Sequence, residues 1–210
     1  MQLIGMLDSP YVRRVAVSLH VLGLPFEHRP LSVFRDYDAF AALNPTVKAP
    51  TLITDDGVAI AESGLILAYA TRLAQTRGMA VTLDPLDLPA YARAQRLVGL
   101  SLAVCEKAVQ LVYEANLRPA EKRHAPWVER VQGQLHGGLR EIEADLDTWA
   151  ATRDWLFGPA PMQADLSLAV AWRFARERLP DLVSVADHPA LADLSRRAEA
   201  TAAFIAYPFA

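Results

Sequence analysis

Apolar residues come in short bursts along the first eighty or so positions and in long helical stripes along the rest. Gln2 to Met6 reads as a short apolar strand, and Pro10 to Leu22 carries Val12, Val15, Ala16, Leu19 and Leu22 at helical spacing. Gly23 ends that helix and Pro25 prevents its continuation, so Phe26 to Leu31 is a second strand, parallel to the first through a right-handed β-α-β connection. Asp36 to Leu43 is a short helix stopped at Asn44-Pro45, because proline disfavours a helical residue before it. Pro50 to Thr54 and Val58 to Ala61 are apolar runs joined by Asp55-Asp56-Gly57, a hairpin signal. Glu62 and Ser63 then open a helix that Gly78 closes, with Leu65, Ile66, Tyr69 and Leu73 as its expected buried side.

Asp84-Pro85, Asp87 and Pro89 break the pattern, and everything after them is helical: Ala90 to Val112, Pro126 to Ala150, Asp165 to Arg178 and Pro189 to Ala200. The order β-α-β-α-β-β-α is that of a thioredoxin-like domain. The expected fold class is therefore α/β plus all-α: a thioredoxin-like domain over residues 1–78, a linker over 79–89 and an all-helical domain over 90–210.

Composition narrows the class without changing this picture. The 210 residues are 52% hydrophobic, ample for packed cores, and the net charge of −3 supplies no basic field for nucleic acid. There is no run of about eighteen apolar residues and no basic segment leading an apolar one at the N-terminus, which predicts no membrane partner and a cytoplasmic location. The single cysteine, Cys105, lies mid-helix among apolar neighbours and reads as an inert core thiol. The five histidines, His20, His28, His124, His136 and His188, have no metal-ligand spacing, so no metal is expected.

Candidate chemistry concentrates at Leu7-Asp8-Ser9-Pro10-Tyr11-Val12-Arg13-Arg14. Ser9 is an N-cap and Pro10 sits at the first helical position, where a missing N–H is without consequence. The turn aims a hydroxyl and a row of backbone N–H groups at one point, which favours an anion. On these residues alone, the plain helix cap is the favoured reading over a functional anion site.

Three separated motifs resemble the cytosolic glutathione S-transferases over essentially the whole length. Ser9-Pro10-Tyr11-Val12 with Arg14 is similar to the catalytic turn of serine-type members, tau-like and bacterial. Asn44-Pro45-Thr46-Val47-Lys48-Ala49-Pro50 is similar to the loop that leads to that fold's cis-proline, although Val or Ile is common where this chain has Ala49. Glu62-Ser63 is similar to the pair that holds the γ-glutamyl end of glutathione. The stretch from Tyr113-Glu114 to Pro126-Trp127 also resembles a segment of bacterial members.

The resemblance implies that glutathione is the co-substrate and that Ser9 donates a hydrogen bond to its thiolate. It implies that the Ala49 backbone, before a cis Pro50, pairs with the cysteinyl part of the peptide. Ser63 would receive the γ-glutamyl carboxylate, while Glu62 holds either the α-amino group or the local backbone. Lys48 is either the partner of the glycyl carboxylate or a solvated lysine, and Arg35 either adds positive potential there or is solvated. Tyr11, Phe34, Tyr113, Trp172 and Phe209 are candidates for the pocket of a second, hydrophobic substrate, or simply core.

The activity so implied is conjugation of glutathione to a hydrophobic electrophile, a detoxification chemistry, by a homodimer with Ile66, Tyr69 and Arg72 near the partner. The alternatives are a non-catalytic protein-interaction module, or a glutathione-dependent isomerase or dehalogenase on the same scaffold. The serine and cysteine cluster of maleylacetoacetate isomerases is absent, and thiol–disulfide exchange lacks cysteines at Ser9 and Val12. One further departure concerns the helix at Asp165, where Met162 stands in place of the usual Ser or Thr of a capping box. That helix start is expected to rely on packing of Pro161 and Met162.

Overall fold

The computed structural model describes residues 1–148 and 154–210. The chain divides into two compact units, one of Met1–Leu83 with Ala200–Ala210 and one of Asp84–Glu199.

In the first unit the order is β1 (Gln2–Ile4), α1 (Pro10–Val21), β2 (Glu27–Arg29), α2 (Tyr37–Leu43), β3 (Thr51–Ile53), β4 (Ala59–Ala61) and α3 (Ser63–Thr76). The sheet runs β2-β1-β3-β4. β1 is parallel to β2 with Gln2 opposite Glu27, and antiparallel to β3 with Leu3 opposite Leu52. β3 and β4 form the expected antiparallel hairpin. This is a thioredoxin-like domain, with paired strands shorter than the apolar runs. Its core is built from Leu3, Ile4, Val12, Val15, Ala16, Leu19, Leu52, Ile66 and Leu67, all buried.

The α3 register differs from expectation. The face turned inward is Ser63, Ile66, Leu67, Ala70 and Ala74, whereas Leu65 is 62% exposed and Tyr69 and Leu73 are half-buried. Leucines on both sides of this helix fit two registers, and the small Ala70 and Ala74 mark the close-packed side. Ile66 is accordingly a core residue, not a candidate for contact with a second copy.

The second unit is helical: α4 (Leu88–Leu117), α5 (Ala125–Asp147), α6 (Gln163–Arg178) and α7 (Pro189–Glu199). Asp87 caps α4 through Ala90 N at 3.0 Å. Trp149 and Ala150, the expected end of the second long helix, lie outside the described residues. The interior is formed by Leu97, Val104, Leu135, Leu139, Leu166 and Leu168, and Cys105 is buried among them. Glu143 on α5 accepts from Ala190 N at 2.6 Å and Leu191 N at 2.9 Å, which caps α7 from a neighbouring helix.

At the start of α6, Asp165 is wholly buried and accepts from Met162 N at 2.9 Å and Leu156 N at 3.0 Å. The helix start is thus held by two charge-assisted hydrogen bonds from the segment before it, and packing of Pro161 and Met162 is not its main support.

The expected domain of residues 90–210 needs one correction. The chain from Ala200 onward, including α8 (Ala202–Ala206), belongs to the first unit. Phe204 is buried, Tyr207 stacks on Phe26 with ring centroids 5.2 Å apart, and Arg13 binds both. Its Nε donates to the Tyr207 carbonyl at 2.9 Å and its guanidinium lies 4.9 Å from the Phe204 ring centre. A buried arginine on α1 thus draws the chain back onto the helix that carries Ser9.

Candidate active site

The site grows from the turn between β1 and α1. Gly5, at φ 137°, allows β1 to meet α1 closely: a Cβ there would lie 2.6 Å from Val12 Cγ2 and 3.2 Å from the Ala49 Cβ. The same glycine therefore brings the Ser9 turn and the Ala49 loop together. Ser9 is the N-cap of α1 with Pro10 next, and its Oγ accepts from Val12 N at 3.4 Å. Ser9 N donates to the Met6 carbonyl at 3.1 Å, which fixes the turn. A hydroxyl has one donor and two lone pairs, so capping engages an acceptor site and leaves the proton for a ligand.

The loop into β3 is braced by Asn44, which the sequence marks as a helix stop and part of a motif but not as a brace. Its side-chain oxygen accepts from Thr46 N at 3.1 Å and Thr46 Oγ1 at 2.8 Å, and its Nδ2 donates to Thr51 Oγ1 at 2.8 Å. Thr51 Oγ1 in turn donates to the Lys48 carbonyl at 2.8 Å. Val47, at φ 48°, is held in the left-handed region, unusual for a β-branched side chain. The Ala49–Pro50 bond is cis, as expected. Lys48 is exposed, and so is Arg35, whose Nη2 lies 3.9 Å from Met6 Sδ, beside the Ser9 turn.

Glu62 and Ser63 form the third part. Glu62 caps α3, its carboxylate accepting from Gly64 N at 2.9 Å and Leu65 N at 3.1 Å. The local backbone is thus one of its partners. Its φ of 78° is strained for a residue with a Cβ, a feature that clusters at ligand sites. Ser63, only 1% exposed, donates to Glu62 Oε1 at 3.2 Å and accepts from Arg14 Nη1 at 2.9 Å. Burial alone raises the Glu62 carboxyl, but the hydrogen bonds from Gly64 N, Leu65 N and Ser63, with the Arg14 charge, outweigh it and hold the group below the ordinary carboxylate value. Glu62 is therefore an anion at neutral pH.

The aromatic candidates divide between the units. Tyr11 and Phe209 are half-buried and Phe34 is exposed, all in the first unit; Tyr113 in the second is exposed. Trp172 is 5% exposed and meets His188 edge-on at 5.9 Å. It is a core residue of the second unit, with almost no ring surface left for a ligand, because it lies on the buried side of α6. Among the described residues no group of three or more His, Cys, Asp or Glu side chains is arranged to hold a metal ion.

Family models match the chain in two pieces, the glutathione S-transferase N-terminal domain over residues 3–78 and the C-terminal domain over residues 125–197. The chain belongs to the glutathione S-transferase family. Its fold is similar to that of a glutathione S-transferase from Methylobacterium radiotolerans in complex with glutathione sulfonate, with a TM-score of 0.86, 30% identity and coverage of 100% of this chain and 95% of that one. It is similar also to a glutathione transferase family member from Pseudomonas fluorescens with bound glutathione, at a TM-score of 0.78 and 27% identity, covering 98% and 97% of the two chains. Maleylacetoacetate isomerase of Pseudomonas aeruginosa is 26% identical over 193 residues, 84% of this chain and 87% of the isomerase. A glutathione S-transferase fold thus carries Ser9, Ala49-Pro50 and Glu62-Ser63 on one domain.

Proposed function

We propose that this protein is a glutathione transferase that binds glutathione along its thioredoxin-like domain and conjugates it, through its sulfur, to a hydrophobic electrophile. The observation that carries the reading is Ser9 at the start of α1, its hydroxyl an acceptor to Val12 N and its proton available to a sulfur. Neighbours at 27% and 30% identity hold glutathione or its sulfonate, which supports the same co-substrate here.

A free thiol, with a pKa of about 8.5, is mostly protonated at neutral pH. One hydrogen bond to a charged group is worth about 1.5–3 kcal/mol, or roughly one to two pKa units, and the α1 N-terminus adds to it. The reaction follows: the thiol proton leaves to solvent, the Ser9 hydroxyl stabilises the thiolate, and the sulfur forms a bond to an electrophilic carbon while the leaving group departs with its bonding pair or the π pair shifts to the neighbouring atom, which then takes up a proton. Ser9 is a hydrogen-bond donor throughout and never the nucleophile. The Ala49 backbone holds the cysteinyl part, Ser63 and Glu62 the γ-glutamyl end, and Lys48 and Arg35 supply positive charge for the glycyl carboxylate. Tyr11, Phe34 and Phe209, all on the glutathione-binding unit, offer apolar surface to the electrophile.

Two measurements test this. Calorimetric titration with glutathione detects the site, and Ser9→Ala raises the pKa of the bound thiol by one to two units, read by thiolate absorbance; an unchanged pKa removes Ser9 from the mechanism. The isomerase relative gives a second reading, in which the thiolate adds reversibly to a double bond and glutathione is regenerated. Glutathione consumed mole for mole with product marks conjugation, and glutathione conserved marks isomerisation. The functional protein is a homodimer located in the cytoplasm in this reading, and light scattering on the purified chain tests the first point.

A further inference from the structure

Two arginines stand side by side on α1, and both are buried. Arg13 is engaged with the segment after Ala200. Arg14, 5% exposed, points instead to the start of α3, where its Nη1 donates to Ser63 Oγ at 2.9 Å. That bond takes an acceptor lone pair of the Ser63 hydroxyl and turns its proton toward Glu62 Oε1, 3.2 Å away. Glu62 spans the next turn through Gly64 N and Leu65 N while its own backbone sits at φ 78°. An unsupported Glu relaxes out of that region, since the conformation costs about 1–3 kcal/mol. The chain of contacts Arg14, Ser63, Glu62 therefore starts on the helix that bears Ser9 and ends on the carboxylate that opens α3.

We propose that Arg14 is the positioning residue for the γ-glutamyl end of the site: through Ser63 it orients the Glu62 carboxylate and holds it ready for the ammonium group of the ligand. The inference rests on the glutathione reading given above and names the residue on which that end of the ligand depends. Arg14 itself touches no reacting atom. Ser9 and Arg14 are then separate controls on one helix, the first on the sulfur and the second, by way of α3, on the opposite end of the tripeptide.

The test is titration of the full chain with glutathione from neutral to acid pH, with the bound-thiol pKa measured in parallel. Arg14→Met, which keeps length and apolar volume, weakens glutathione binding by about tenfold or more. The bound-thiol pKa stays at its wild-type value, whereas Ser9→Ala moves it. The pH below which binding fades shifts upward in Arg14→Met, because Glu62 loses the charge that helps to keep it ionised. Arg14→Lys, which retains a cation and a donor, recovers part of the affinity.

Should Arg14→Met fail to fold, Ser63→Ala breaks the same chain with the loss of one oxygen. It shows the same upward shift of the acid limb, and adding Arg14→Lys to it brings no further shift. Wild-type protein that does not bind glutathione overturns the functional reading and this inference together. Wild-type binding with Arg14→Met within about twofold of it overturns the inference alone, as does an acid limb that stays put in Ser63→Ala. A thiol pKa that moves in Arg14→Met as far as in Ser9→Ala also overturns it, since Arg14 then only holds α1 in place.

Discussion

Two helices, α3 and α6, each open on a carboxylate that gathers backbone N–H groups, and the two groups shift in opposite directions. Glu62 sits partly in solvent, bonds Gly64 N, Leu65 N and Ser63, feels Arg14 and is held below the ordinary carboxylate value. Asp165 bonds Leu156 N and Met162 N at similar distances but is wholly buried, and burial pushes it up to about 6 despite those donors. The number of donors is thus not what separates them. Access to water is: the same hydrogen bonds leave a charged group at α3 ready to meet a ligand, and at α6 a group whose charge is tolerated only for the sake of its bonds.

The sharpest way to break this comparison is truncation at the buried site. Asp165→Ala orphans one buried and one part-buried N–H group and should cost about 3–5 kcal/mol, read as a drop in the denaturation midpoint. Glu62→Ala removes a cap at a partly hydrated site and should cost about 1 kcal/mol of stability while lowering glutathione affinity more than that loss accounts for. Glu62→Gly, which suits a positive φ, should be more stable than Glu62→Ala and bind no better.

The pH dependences have opposite signs. Asp165 has a raised folded value, so the folded state binds the extra proton between about 4 and 6, and its contribution to stability falls as pH rises through that window. Glu62 has a lowered folded value, so its contribution is present above its unfolded value of about 4.5 and is lost as pH falls through the folded one. Asp165→Asn and Glu62→Gln should therefore change the slope of stability against pH in opposite senses, which denaturation at several acid pH values reads directly.

The smallest effect is expected at Met162→Ser. It supplies the missing hydroxyl of the capping box but gives up apolar packing, and its stability should stay within about 1 kcal/mol of wild type.

Legibility from sequence followed the same division between local and distant causes. The β-α-β-α-β-β-α order was readable because Gly23, Pro25, Asn44-Pro45 and Asp55-Asp56-Gly57 act on their immediate neighbours. Ser9 and Asp165 were visible as helix openings for the same reason, and Pro50, Glu62 and Ser63 through motif likeness. Arg13 and Arg14 were not legible as brackets, since a cation between stripe positions on a helix reads as surface, and their partners stand 194 and 49 residues away. Asn44 was legible as a helix stop and as part of a motif but not as a brace, because the brace it forms needs Thr51 folded back beside it. The α3 face was misread at Leu65, where alternating leucines offer no unique register. Ala202–Ala206 is too short for periodicity to register.

That last segment carries a consequence for how the protein is made. The unit that bears Ser9 is discontinuous in the chain: it needs residues 200–210 as well as the first eighty-three. On the ribosome, its N-terminal part emerges early but waits for the whole helical unit to be translated before Phe204 and Tyr207 reach Arg13. A fragment cut at Leu83 would leave the Arg13 guanidinium without the carbonyl and ring it meets in the intact fold, so residues 1–83 are a reading frame for this domain without being the domain.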